Sequence, residues 1–216
     1  MLLITQQLKT QNSKLNTMLE KPFADACERN RQPIFEIISP LLANTKAVLE
    51  IGSGTGQHAV FFAQQLPNLT WHTSDRNEYH PGIRLWIKES KLSNVTPPVT
   101  FDVSVDDNPA LPVDAVFSAN TAHIMHWNDV ENMFEKVGEL LPIGGVFLLY
   151  GPFKIEDQYS SNNDALFDQH LRHRDPKSGI RDIEKLDYLA KQASMFRQHL
   201  YPMPSNNYLA CWQRQA

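Results

Sequence analysis

The chain has 216 residues, 42% hydrophobic and 20% charged, which suits one globular domain with a real core and leaves little room for two. Its 20 basic and 24 acidic residues give a net charge of -4, so there is no electrostatic case for non-specific binding to nucleic acid or to an anionic membrane. Cys27 and Cys211 are the only cysteines, which excludes a disulfide framework and any zinc-type cysteine spacing.

Residues 1–21 are rich in Gln, Asn, Thr and Lys and read as a partly ordered arm before a single domain over 22–216. The apolar run Met1-Leu2-Leu3-Ile4 is too short for a signal-peptide core. Nothing later reaches membrane-spanning length, so a cytoplasmic protein is expected. From Pro33, the apolar residues Ile34, Ile37, Ile38, Leu41 and Leu42 form a helical stripe, with Asn30 near its cap. Pro40 should bend or shorten that helix.

Ala47 to Ile51 reads as a buried strand, and Gln57 to Leu66 as the helix after it. Leu69 to Ser74 is a second strand, Pro81 to Ser90 a helix, and Val99 to Val103 a third strand beyond a Pro97-Pro98 break. Asp114 to Ser118 is a fourth strand. Val130, Met133, Phe134, Val137, Leu140 and Leu141 then repeat at helical spacing, with Asn128 and Glu131 placed like a capping box. Val146 to Tyr150 is a fifth strand, followed by a polar insertion and helices at Asp164 to Arg172 and Ile183 to Ala193. Phe196 to Tyr201 and Tyr208 to Gln213 are strands too close in sequence for a crossover, so they should pair antiparallel. Alternation of strands and helices elsewhere predicts an α/β fold with parallel pairing.

The chemistry concentrates in Glu50-Ile51-Gly52-Ser53-Gly54-Thr55-Gly56. Glycines between a strand and a helix permit a tight turn and bring a ligand against bare backbone. In a doubly wound sheet such a loop lies at the ligand-binding edge. The dinucleotide fingerprint fails because Gln57 stands where the third glycine belongs. Glu50 would repel a pyrophosphate and attract a cationic ligand such as a sulfonium amino acid. Asp75, at the end of the second strand, can accept from ribose hydroxyls. Asp102, with Asp106 and Asp107 close behind it, can take an adenine amino group.

The run Val48 to His58 resembles motif I of class I S-adenosylmethionine-dependent methyltransferases. More narrowly, the chain resembles the methyltransferase-like protein 26 family. That likeness is carried by Glu28-Arg29-Asn30, by Gln57-His58 and by Asn120-Thr121-Ala122-His123-Ile124. It continues in Arg174-Asp175-Pro176, Gly179-Ile180-Arg181-Asp182 and Met203-Pro204-Ser205-Asn206-Asn207, and Lys177-Ser178 departs from it where an aromatic is expected. The resemblance implies a Rossmann-like fold whose seven-stranded, mostly parallel sheet has the order 3-2-1-4-5-7-6, with strand 7 antiparallel. It implies S-adenosylmethionine as cofactor. Glu50, Gly52, Gly54 and Gly56 would face the methionine part, Asp75 with Arg76 the ribose, and Asp102 with Val103 the adenine. Asn120 would close the pocket.

Arg29 and Asn30 are either a surface cation and a cap or a clamp on the cofactor carboxylate. His123, Asn120 and Tyr150 are the candidates for aligning the acceptor, with His126 the weaker histidine. Arg172, Arg174 and Arg181 are expected to pair with Asp168, Asp175 and Asp182 rather than with a substrate. His123 and His126 make no metal site without a third ligand. The segment after the fourth strand lacks both a Pro-Pro-aromatic pattern and a cysteine, which argues against a nucleic-acid base as acceptor and for a small molecule, less so a protein. The rival is a module that binds S-adenosylmethionine or S-adenosylhomocysteine without transfer. The sequence leaves the acceptor and the oligomeric state open.

Overall fold

A computed structural model describes residues 20–216. The expected arm, apart from Glu20 and Lys21, lies outside the described residues. The main sheet has seven strands in the order β3-β2-β1-β4-β5-β9-β8. These are β1 (Ala47–Ile51), β2 (Thr70–Asp75), β3 (Val95–Thr100), β4 (Ala115–Ala119), β5 (Val146–Gly151), β8 (Met195–Met203) and β9 (Asn207–Arg214). Strand β1 pairs parallel with both β2 and β4, and β9 runs antiparallel to β5 and to β8. With β8 and β9 counted as the sixth and seventh main-sheet strands, this is the order that the methyltransferase resemblance implies. Two short strands, β6 (Phe153–Lys154) and β7 (Arg181–Asp182), form a separate parallel pair that the periodicity did not reveal.

Helices cover both faces, and strand alternation assigns the core residues to them. Leu49 and Ile51 of β1, with Val116, Phe147, Leu149 and Trp212, pack against α4 (Trp127–Leu140) and α6 (Ile183–Gln192). Val48, Phe117 and Leu148 join Trp71 on the opposite face, against Ile34 and Ile38 of α1 (Asp25–Leu41) and Phe62 of α2 (Gln57–Gln65). Glu50 alternates onto this second face, the only charged position in β1. The remaining helices are α3 (His80–Ser90) and α5 (Asn162–Arg174). Ser161 caps α5 by accepting from the Asp164 N–H.

Three local expectations need correction. Helix α1 begins at Asp25, so Asn30 sits inside it and not at its cap, and Pro33 is an interior residue. Acids at Asp25 and Glu28 favour that N-terminus, and the buried Ile34 and Ile38 hold the continuation through Pro33. Pro97 and Pro98 lie within β3 instead of preceding it. The strand is at the sheet edge, and the register passes from His72↔Thr96 to Ser74↔Val99, so a bulge places both prolines opposite Thr73. An edge bulge tolerates residues without an N–H. The strand ends at Thr100, so Asp102 lies on the loop after it. Finally, Asn128 caps nothing: α4 starts at Trp127, and Glu131 accepts instead from the Trp127 indole at 2.8 Å.

Candidate functional site

The strand order reverses between β1 and β4, and their carboxyl ends diverge there. The loop after β1 takes three left-handed turns at Gly52 (φ +74°), Gly54 (φ +57°) and Gly56 (φ +89°). A Cβ on Gly52 would sit 2.7 Å from Thr121 Cγ2, and one on Gly56 would sit 3.1 Å from Ile83 Cα. A Cβ on Gly54 would meet nothing within 4 Å. So Gly52 and Gly56 serve close packing, and Gly54 bares its backbone to a cavity.

That cavity has a volume of about 520 Å³ and is lined by Gly52, Gly54, Asp75, Asp102 and Asn120, among others. Arg76 and Val103 also line it. Asp75 is buried, and its carboxylate fixes the loop: Oδ2 accepts the Gly54 N–H at 2.7 Å and Oδ1 the Arg76 N–H at 2.8 Å. Burial raises the Asp75 pKa, and those two amides oppose the rise. Asp102 Oδ1 accepts from the Ser104 N–H and hydroxyl at 2.9 and 2.6 Å.

Glu50 is only 2% exposed and lies behind the loop, outside the cavity lining. Its Oε2 accepts from Ser53 Oγ at 2.9 Å and from the Trp71 indole at 3.2 Å. Burial outweighs these donors and pushes its pKa up to about 7. The folded state then binds more protons than the unfolded chain between pH 4.5 and 7. The stabilisation from protonated Glu50 is complete below the lower value and is lost as pH rises through the upper one. Ionised Glu50 costs the ligand-free fold about 3 kcal/mol relative to its protonated form. Glu50→Gln is therefore expected to gain melting temperature over wild type as pH rises from about 5 to 8. Parallel melting curves for the two proteins across that range would exclude Glu50 as the titrating group.

Several residues singled out from the sequence join α1 to the loop and do not line the cavity. Gln57 is buried; its Oε1 accepts from the Ala24 N–H at 2.7 Å and its Nε2 donates to Glu28 at 2.9 Å. His58 is held neutral by burial, reinforced by the Arg31 charge, with a pKa near 4. Its Nε2 contacts Asn30 Oδ1 at 2.7 Å. The Tyr150 ring packs in the core at the end of β5, and burial raises the pKa of its hydroxyl. Asn30, Tyr150 and Gly56 do not line the cavity. Arg29 is exposed on α1 and makes no ion pair among the described residues.

The loop after β4 forms the opposite wall. Asn120 adopts a left-handed conformation (φ +60°), and its N–H is bound to the Tyr150 carbonyl at 2.8 Å. Thr121, which the sequence reading passed over, is buried with its hydroxyl 2.7 Å from that of Ser118. His126 lines the cavity and contacts Asp175 Oδ2 at 2.7 Å. His123 turns elsewhere. It lines a second cavity of about 490 Å³ together with Asp164, Phe167, Asn206 and Asn207. Asn120 lines both cavities. The residues from α5 and from the β8–β9 turn were not read as site residues, although the turn lies in the motif Met203 to Asn207.

Buried groups between α5 and α6 hold the His123 loop. Arg172 pairs with Asp168 at 2.8 Å, as expected. Arg181 does not pair with Asp182; its guanidinium donates to the carbonyls of Ala122, Met125 and Lys177. The Gly179 N–H donates to the His123 carbonyl at 2.9 Å. Asp175 takes His126 as its partner, and Arg174 makes no ion pair among the described residues. Asp182 instead caps α6 through the Lys185 N–H. Among the described residues, no helix is long and apolar enough to cross a membrane and no cluster of metal-ligating side chains occurs.

Residues 21–214 match the family described as a protein of unknown function, DUF938. The chain belongs to the DUF938 family. The fold of this DUF938 member recurs in solved proteins of low identity. An O-methyltransferase family protein from Burkholderia thailandensis aligns with a TM-score of 0.73 at 16% identity, over 89% of this chain and 58% of that one. Human N-acetylserotonin methyltransferase, in complex with S-adenosylmethionine, aligns with a TM-score of 0.77 at 14% identity, over 89% and 53% of the two chains. An O-methyltransferase family 2 protein from Planctomyces limnophilus, in complex with apigenin, gives 0.70 at 18% identity, over 78% and 51%. The DUF938 chain thus spans little more than half the length of these neighbours.

Proposed function

We propose that this DUF938 chain is an S-adenosylmethionine-dependent methyltransferase acting on a small-molecule acceptor. One observation carries the reading: Gly52, Gly54, Asp75, Asp102 and Asn120, at or just after the carboxyl ends of four strands, line one cavity at the strand-order reversal. The fit to an adenosyl ligand without phosphates is good. Gly54 leaves bare backbone where a side chain would intrude, and Asp75 has carboxylate lone pairs to spare for ribose hydroxyls after its two amide bonds. Asp102 and Val103, which also line the cavity, would read the adenine edge. The narrower kinship with the methyltransferase-like protein 26 family rests on the distributed sequence motifs.

When bound, the sulfonium supplies an already activated methyl group, so the protein's task is positioning and exclusion of water. Asn120 stands between the two cavities and would separate donor from acceptor. His123, neutral with a pKa pushed down to about 4 by burial and then by the Arg181 charge, can accept a hydrogen bond that orients an acceptor hydroxyl, but is too weak a base to take its proton. The second cavity supports transfer over a module that only binds the nucleoside. Neighbours whose names include O-methyltransferase and apigenin support a small hydroxylated acceptor.

The test is ligand-induced stabilisation of the full chain. S-adenosylmethionine and S-adenosylhomocysteine are expected to raise the melting temperature, and NAD to leave it unchanged. A shift with NAD and none with either sulfur nucleoside would overturn the reading.

A further inference from the structure

The second cavity has a distinct chemistry. Among the described residues, Asp164 is the one acidic side chain in a lining otherwise made of amides, a histidine, a serine and two apolar rings. Asn206 spends an amide N–H on Ser161 Oγ at 2.9 Å. Asn207 spends both of its own on the carbonyls of Pro204 and Ser205, at 3.3 and 3.2 Å. Those bonds leave Asn207 its amide oxygen, and Asn206 its amide oxygen and one N–H, for a ligand. Asp164 Oδ2 is buried with no hydrogen-bond partner among the described residues. A buried, unpaired carboxylate oxygen is costly unless something donates to it. The soft terminal torsion of aspartate can turn either oxygen into the cavity. The His123 ring makes no hydrogen bond among the described residues; it meets Phe167 edge to face, centroids 5.6 Å apart. Among the described residues, no Lys or Arg lines this cavity.

We propose that the second cavity binds a small hydroxylated amine, its protonated nitrogen held by Asp164 with Asn206 and Asn207 and its hydroxyl directed to His123. An anionic acceptor finds no counter-charge there and meets the Asp164 carboxylate. A neutral one leaves that carboxylate without a cation. The volume of about 490 Å³ suits a molecule of one ring and a short amine arm. The identification of this molecule as a methyl acceptor rests on the methyltransferase reading of the first cavity; the binding preference itself does not.

Calorimetric titration decides it with three probes that differ at one end only: tyramine, tyrosol and 4-hydroxyphenylacetate. Each is titrated into the full chain with and without saturating S-adenosylhomocysteine. Tyramine is expected to bind at least about tenfold more tightly than tyrosol, with 4-hydroxyphenylacetate weakest. Asp164→Asn keeps the side-chain shape and is expected to erase the advantage of tyramine over tyrosol. Because Asp164 does not line the first cavity, the same variant should keep wild-type affinity for S-adenosylhomocysteine, which also reports an intact fold. Equal binding of tyramine and tyrosol, a preference for the carboxylate, no saturable binding of tyramine, or a tyramine preference that survives Asp164→Asn overturns the inference. Failure to bind S-adenosylhomocysteine alongside a clear tyramine preference would sink the first-cavity reading and leave this one standing.

Discussion

Asp75→Ala is expected to abolish the stabilisation by S-adenosylhomocysteine and to weaken its binding about 100-fold, read by calorimetry. The carboxylate has two tasks. It would accept from the ribose hydroxyls, and it already ties the Gly54 and Arg76 amides at 2.7 and 2.8 Å. Alanine removes both, leaving the partly buried Gly54 and Arg76 amides without an acceptor and the ligand without its anchor. Hydrogen bonds to a charged group contribute about 1.5–3 kcal/mol each, so loss of the ligand contacts alone accounts for the factor. Asp75→Asn keeps one acceptor but turns an N–H toward a backbone donor. It should fall between wild type and alanine. An alanine variant that binds S-adenosylhomocysteine like wild type would show that the cavity is not a nucleoside site.

The second large effect separates two glycines in one loop. Gly52→Ala should lower stability by about 3–4 kcal/mol. It combines a left-handed backbone with a Cβ 2.7 Å from Thr121 Cγ2, and Thr121 is buried and tied to Ser118, so it has little room to yield. Gly54→Ala has the same backbone penalty of about 1–2 kcal/mol but no clash, because nothing lies within 4 Å of its Cβ. Its methyl group enters the cavity instead. The first variant should therefore melt early yet keep its ligand shift in whatever remains folded. The second should melt only a few degrees below wild type and lose ligand affinity. Chemical denaturation with and without S-adenosylhomocysteine measures both. If Gly54→Ala retains full affinity, the loop does not approach the ligand.

Much of the site was legible because its signals are local. Gly52, Gly54 and Gly56 lie between a short apolar run and a helical stripe, and no other reading of that spacing suits a turn so rich in left-handed residues. Asp75 ends its strand and Asn120 directly follows its own, so strand ends located them. The signals that misled are also instructive. Pro97-Pro98 is a breaker in most contexts, and only the edge position of β3 and its bulge against Thr73 make it part of a strand. Tyr150 and Asn30 carry groups that could serve chemistry, yet Tyr150 packs in the core and Asn30 spends its amide oxygen on His58.

By itself the sequence determined the alternation of strands and helices, the glycine turn and the acid at the end of the second strand, because each depends on residues within one turn or one strand of its neighbours. The tertiary structure alone decided that Glu50 stands behind the cavity under Trp71, that His123 and His126 serve different cavities, and that Asp164, Asn206 and Asn207 meet His123 at one place. The last of these joins His123 to residues some 40 to 85 positions away. It is set by how α5 and the β8–β9 turn pack over the sheet edge, and no pattern along the chain encodes that distance.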